Sequence, residues 1–202
     1  MGVVDEERDW IRQSRQGDAQ AYRRLVERYQ GRINRLVSDL LGHGHGNIDD
    51  VVQDVFVKAY FSLKKFREKA SFATWLYRIA VNQTRDEIRK RSRQSSLDAA
   101  LAAETAASLR SLWNRSDDDE PSNPVASQAL QQFVGRTIRS LPEKLRIVVT
   151  LKDLQGLSYE EVGQILKCSV GTVKSRHSRA RERLRALLAP HLPELRTRGS
   201  LS

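Results

Sequence analysis

Apolar side chains in this sequence recur every three or four residues almost wherever they gather, and nowhere in the alternating order of a strand. That spacing restricts the chain to packed helices. After Gly17, Asp18 is placed to cap a helix whose stripe runs through Tyr22, Leu25, Val26, Tyr29, Ile33, Leu36, Val37 and Leu40. The loop GHGHGN then interrupts the pattern. Ile48, Val51, Val52, Val55, Phe56, Ala59, Tyr60 and Leu63 make a second stripe, and a third helix from about Phe72 buries Phe72, Trp75, Leu76 and Ile79. Residues 1–93 are expected to form one compact helical domain.

Composition changes beyond that point. Residues 94–124 are rich in Ser, Ala and Asp, poor in large apolar residues, and contain NRSDDDEPSNP. They read as a flexible linker with at most a transient helix near 99–112. Helical periodicity returns from Val125, through Phe133, Ile138 and Leu141, then Leu145, Val148 and Val149, then two further short helices. Residues 125–202 make the second domain. The expected fold is all-α: two small helical domains joined by a flexible linker, with no internal repeat.

The second domain holds the most specific local pattern. Leu157 to Leu166 reads as a short helix, with Ser158 as N-cap and Glu161 completing a capping box. Lys167, Cys168 and Ser169 form a turn, and a longer helix runs from Val170 to about Leu188. Two helices joined so tightly form a helix-turn-helix, whose second helix can enter a major groove. On that helix Val173, His177, Ala180, Leu184 and Leu187 share the inward face, while Gly171, Lys174, Ser175, Ser178, Arg179 and Glu182 share the outward one. Small residues there allow close approach to DNA, and Lys174 and Arg179 offer donors to guanine edges or phosphates. Lys167 to Arg185 contains seven Lys and Arg against one Glu. The competing reading is a solvated charged helix in a bundle.

The whole chain has the same bias. Its 35 Lys and Arg against 25 Asp and Glu give a net charge of +10, which suits a polyanion, either nucleic acid or an anionic membrane surface. No stretch approaches the roughly 20 apolar residues of a membrane span. The acidic opening MGVVDEERDW is unlike a secretory signal, and Glu6 stands where a myristoylation pattern needs Ser or Thr. The single cysteine, Cys168, excludes an intrachain disulfide or a Cys-rich zinc module and reads as a small half-buried apolar residue. His43 and His45 share a loop without further ligands, so neither metal nor cofactor is expected. A cytoplasmic location fits these features.

In the first domain Trp75, Arg78, Asn82, Arg85 and Arg89 line one face of the third helix. Cations track phosphates, rings stack on bases and an amide reads a base edge, so this face suits a single nucleic-acid strand. The preceding loop, Phe66-Arg67-Glu68-Lys69-Ala70-Ser71-Phe72, can shape a pocket for one extruded base. The competing reading makes Trp75 and Phe72 ordinary core and leaves the arginines solvated. On the second helix Asp49, Asp50, Gln53, Asp54 and Lys58 form a polar face, which alone reads as solvated surface; Phe56 reads as core.

DDVVQDVFVKAY, FATWLYRIAVN and LSYEEVGQIL…VGTVKSRHSRARERL resemble the paired signatures of the extracytoplasmic-function (group IV) sigma factors. The resemblance covers roughly residues 8–93 and 125–188, and LPEKLRIVVTLKDLQGLSYEEV is especially similar to the envelope-stress sigma-E branch. It implies a transcription initiation factor without a catalytic site, whose partners are core RNA polymerase, promoter DNA and an anti-sigma factor, often membrane-bound. By the same resemblance Asp50, Gln53 and Asp54 dock on the polymerase. The Phe66–Phe72 loop and Asn82 capture a flipped base of the −10 element. Gly171, Thr172, Lys174, Ser175, Ser178 and Arg179 line the segment that reads the −35 element as duplex. Three positions depart from the branch pattern: Ser169 replaces a common proline, His177 an apolar residue, and Ser178 an aromatic one, which leaves the −35 sequence open.

Two rivals come from other classes. A regulator binding duplex DNA through the helix-turn-helix explains residues 125–188 but gives no reason for the Trp75–Arg89 face. A nucleic-acid enzyme lacks a site, since no carboxylate cluster, Walker loop or zinc ligand set is evident.

Overall fold

Glycine and aspartate begin the architecture, as the spacing predicts. Gly17 turns the chain at φ 99°, and the Asp18 carboxylate accepts from the N–H groups of Gln20 at 2.8 Å and Ala21 at 3.1 Å. These two residues separate α1 (Val3–Arg15) from α2 (Ala19–Leu41), which ends at Gly42. Then follow α3 (Ile48–Ser62), a 3₁₀ turn (Leu63–Lys65) and α4 (Phe72–Thr105). Beyond them lie α5 (133–140), α6 (Glu143–Val149) running into a π-helical turn (Thr150–Leu154), α7 (Tyr159–Leu166), α8 (Val170–Leu188) and a final 3₁₀ turn (Ala189–His191). The structure is a computed structural model that describes residues 3–42, 46–68, 70–105 and 133–191. His43, His45, Lys69 and the acidic run Asp117–Glu120 lie outside the described residues.

The predicted stripes form the core. Leu25, Ile33, Leu36, Val37 and Leu40 of α2 pack on Val51, Val55 and Ala59 of α3 and on Phe72, Leu76, Ala80 and Val81 of α4. Each such Leu, Ile or Val contributes about 1.5–3 kcal/mol on burial, so a few of them outweigh the roughly 1 kcal/mol of a helix cap. Helix α1 was not visible as a stripe, because Trp10 and Ile11 are its main core contributions. It is tied to α2 by the Tyr29 hydroxyl, 2.7 Å from the Glu7 carboxylate. Burial, with that carboxylate beside it, pushes the Tyr29 phenol well above its ordinary pKa.

Four features differ from expectation. Helix α4 continues through residues 94–105, where composition alone suggests linker; Ala99, Ala100, Ala102 and Ala103 supply high intrinsic helix propensity there. Tyr60 of the second stripe is exposed, its ring held edge-on against Tyr22 at 5.0 Å. Leu187 is also exposed, because Leu184 is the last α8 side chain to reach the small cluster of Ile138, Leu141, Val149 and Ala180. Finally, the two halves share one core: Ile147, Val148, Leu151, Val162, Ile165 and Val173 join the cluster built by α2, α3 and α4. Gln155 donates to Asp39 at 2.9 Å across the same junction.

Candidate nucleic-acid and partner interfaces

Short-range hydrogen bonds build the duplex-reading candidate. The Glu161 N–H donates to the Ser158 hydroxyl at 3.1 Å, and the Ser158 N–H donates to the Glu161 carboxylate at 2.8 Å, the predicted reciprocal cap. Lys167 closes α7 in the left-handed region at φ 53°, and the Cys168 N–H returns to the Gly163 carbonyl at 3.0 Å. A side chain at Gly163 would stand 3.0 Å from the Cys168 carbonyl oxygen, so glycine lets the turn pass closer than a β-carbon fits without a small shift. Ser169, the departure from proline, caps α8 by accepting from the Thr172 N–H at 3.2 Å. Its hydroxyl also meets that of Thr172 at 2.9 Å, which leaves Thr172 half-buried as a capping partner.

These caps set the roll of α8. Val173, His177 and Ala180 are buried, and Gly171, Lys174, Ser175, Ser178, Arg179 and Glu182 are exposed, as the periodicity predicts. His177 holds its polar atoms inside: Nδ1 lies 3.0 Å from the Tyr159 hydroxyl, and Nε2 lies 2.9 Å from both Asp153 carboxylate oxygens. An imidazole is tolerated at this apolar position because both nitrogens find partners. Lys152 and Lys174 place their amines 5.1 and 5.6 Å from the centre of the Tyr159 ring. Neither Tyr159 nor Asp153 was singled out by the sequence.

On α4 the predicted residues are divided. Phe66, Phe72 and Trp75 are all buried, with ring centres 5.1 to 5.8 Å apart, so the reading that makes these rings core holds for the folded chain. Phe66 and Trp75 still line an open cavity of about 460 Å³ with Lys65, Arg67 and Arg78. Ser71 starts α4, accepting from the Thr74 N–H at 3.1 Å. The loop is held by a residue that sequence reasoning missed. Arg15 of α1 donates to the Phe66 carbonyl, pairs with Glu68 at 2.9 Å and lies 5.6 Å from the centre of the Phe66 ring. Glu68 itself adopts φ 54°.

Asn82 does not line that cavity. It faces a second opening of about 430 Å³ between α3 and α4, shared with Lys58, Phe61, Lys65 and Gln83. Arg89 is exposed, whereas Arg85 has its Nε 2.9 Å from the Glu143 carboxylate of α6, near enough for an ion pair but off line for a hydrogen bond. Gln164 of α7 also lines the loop cavity. The C-terminal half thus covers part of the face predicted to meet a single strand. On α3, Asp49, Asp50, Gln53 and Asp54 are all exposed, and the Lys58 amine donates to the Gln83 side chain.

Residues 25–94 match the family described as Sigma-70 region 2, and residues 134–184 match Sigma-70, region 4. The chain is 44% identical to the ECF RNA polymerase sigma-E factor of Escherichia coli (strain K12), over 85% of this chain and 88% of that protein. It is 39% identical to the Haemophilus influenzae sigma-E factor, over 89% and 94%. The solved structure of CnrH in complex with the cytosolic domain of CnrY is similar at TM-score 0.66 and 28% identity, covering 92% of this chain and 99% of that one. The sigma factor RpoE of Bartonella quintana, solved with the anti-sigma factor NepR, shares the fold at TM-score 0.61 and 24% identity, covering 85% and 98%. A helix-turn-helix and a cationic helical groove on one all-helical chain, with these matches, define a DNA-binding transcription initiation factor. The chain belongs to the extracytoplasmic-function sigma factors of the sigma-70 family.

Proposed function

We propose that this sigma factor carries core RNA polymerase to the promoters of a stress-type regulon, with residues 1–93 and 125–202 as its two DNA-facing domains and 94–124 as their linker. Helix α8 reads the −35 element as duplex through Gly171, Lys174, Ser175, Ser178 and Arg179. Arg67, Arg78 and the edges of Phe66 and Trp75 hold the non-template strand of the −10 element, and Arg89 tracks its phosphates. Asp50, Gln53 and Asp54 dock on the polymerase, which performs the chemistry; the sigma factor has no catalytic role of its own. The work is done in the cytoplasm, and none of the described helices is long and apolar enough to cross a membrane.

The observation that carries this reading is the pair of openings along α4 lined by Lys58, Lys65, Arg67 and Arg78 with aromatic rings and the Asn82 amide, which a regulator of duplex DNA does not need. Run-off transcription from a promoter library with core enzyme tests it. Specific initiation is expected, and a plain regulator would restore none. Changing Gln53 and Asp54 to Ala is expected to weaken core binding while the melting temperature stays nearly unmoved, since both side chains are exposed. A large loss of melting temperature with normal core affinity would reverse that assignment. An anti-sigma partner completes the reading, consistent with CnrH having been solved on the cytosolic domain of CnrY.

A further inference from the structure

Two cavities, not one, flank the nucleic-acid face of α4. The first is the loop cavity of about 460 Å³; the second is the groove of about 430 Å³ between α3 and α4. Lys65 lines both, so one cation stands between them. The groove holds Asn82, the amide that sequence reasoning assigns to the loop's base, together with a ring that it did not consider, Phe61.

Phe61 is the most exposed large apolar side chain among the described residues, at 77%. The core does not require it, because Val55, Ala59 and Leu63 supply the buried face of this part of the chain. Its one ring contact is edge-on to Tyr60 at 5.7 Å, which leaves most of the ring bare. A bare ring beside an exposed amide and two lysines is the composition of a stacking site for a base. Charge selects the occupant further. Asp49, Asp50 and Asp54 are exposed on α3, whereas the groove side presents Lys58 and Lys65 and no carboxylate lines it. A phosphodiester backbone fits the second side and is repelled by the first.

We propose that the groove between α3 and α4 holds a second nucleobase of the captured strand, stacked on Phe61 and read at its edge by Asn82. This rests on the reading of α4 as the strand-capturing helix. The ring accepts any base, because every base has a π-face, while the amide supplies selectivity once the base has left its stack. The loop cavity and the groove then hold different bases of one strand, with Lys65 between them against the backbone.

The test uses full-length protein in holoenzyme, with pre-melted promoter probes carrying one abasic site at each position of the non-template −10 strand. Wild type is expected to lose affinity at two separate positions. Phe61→Ala is expected to weaken the intact probe by about 5- to 150-fold, the range of one base–aromatic stack, and to abolish sensitivity at one of those positions only. Phe61→Trp should restore it. Asn82→Ala should lose base selectivity at that same position, and melting temperatures should not move. Sensitivity at a single position untouched by Phe61→Ala overturns the second site and leaves strand capture standing. Insensitivity at every position overturns strand capture itself. Weakened core binding by Phe61→Ala, with unchanged probe affinity at saturating polymerase, makes Phe61 a polymerase contact instead. Phe61 and Asn82 effects at different positions would separate the two residues and sink the shared site.

Discussion

Helix α8 presents the residues proposed to read duplex DNA bare, whereas α4 presents those proposed to hold a single strand half covered. On α8 all of Gly171, Lys174, Ser175, Ser178 and Arg179 are exposed, and the fold around them is held by caps within a few residues. On α4 the aromatic rings are packed away, Arg85 is paired with Glu143, and Gln164 shares the loop cavity. The difference follows from how each face is made. A helix-turn-helix needs one capped helix, one tight turn and a second capped helix, all within about thirty residues. The surface proposed for a single strand is built from α1, which holds the loop, and α3, which walls the groove, with α6 and α7 beside it. The face proposed for duplex DNA is therefore bare as folded, and the face proposed for a single strand is partly covered by α6 and α7.

The largest expected effect breaks the duplex side alone. Arg179→Ala should cost about 1–3 kcal/mol at a −35 duplex containing a guanine, with steep salt dependence in the parent protein. Its affinity for single −10 strands should not change. An unchanged ratio between cognate and scrambled duplexes would remove Arg179 from base reading.

Next in size is a substitution that strikes the strand side without touching DNA. Arg15→Ala removes the guanidinium that bonds the Phe66 carbonyl and Glu68. Charge-assisted bonds of this kind are worth about 1.5–3 kcal/mol, less where the partner is exposed, as Glu68 is. Single-strand affinity should fall by about 2 kcal/mol or less while −35 duplex affinity holds. If both fell together, Arg15 would be stabilising the whole chain rather than the loop.

The smallest effect sharpens the comparison most. Glu143→Gln leaves the size of the side chain but removes the charge beside Arg85. Binding of single strands by the free protein should tighten by at most about 1 kcal/mol, since a single ion pair that water still partly reaches contributes little. Duplex binding should stay put, and so should strand binding once holoenzyme has formed. Weaker strand binding by the free protein would mean that Glu143 supports the face rather than covers it.

Much of the helix-turn-helix was legible before any coordinates. Ser158 and Glu161 announce a capping box three residues apart, and the 3.6-residue period separates Val173 and Ala180 from Lys174 and Arg179 without reference to the rest of the chain. His177 was placed on the right face, but its partners Asp153 and Tyr159 were not, because they come from two other segments. On α4 the period gathered Trp75, Arg78, Asn82, Arg85 and Arg89 on one face, and the structure sets Trp75 and Arg78 at the loop cavity and Asn82 at the groove beside α3. A wheel shows which residues share a face; it does not show which neighbouring helix stands beside each of them.

The sequence by itself determined the helical class, the capping box and tight turn of the helix-turn-helix, and the exposure of Gly171, Lys174, Ser175, Ser178, Arg179 and Glu182 on α8, because these depend on bonds and periods within one or two turns. It also carried the motifs that place the chain among sigma factors. Only the tertiary structure decided that Arg15 holds a loop some fifty residues away, that Phe61 and Asn82 share a groove, and that Glu143 covers Arg85. Those pairings depend on the crossing of helices whose relative positions are set by a core shared between both halves, and no local spacing encodes where two such helices meet.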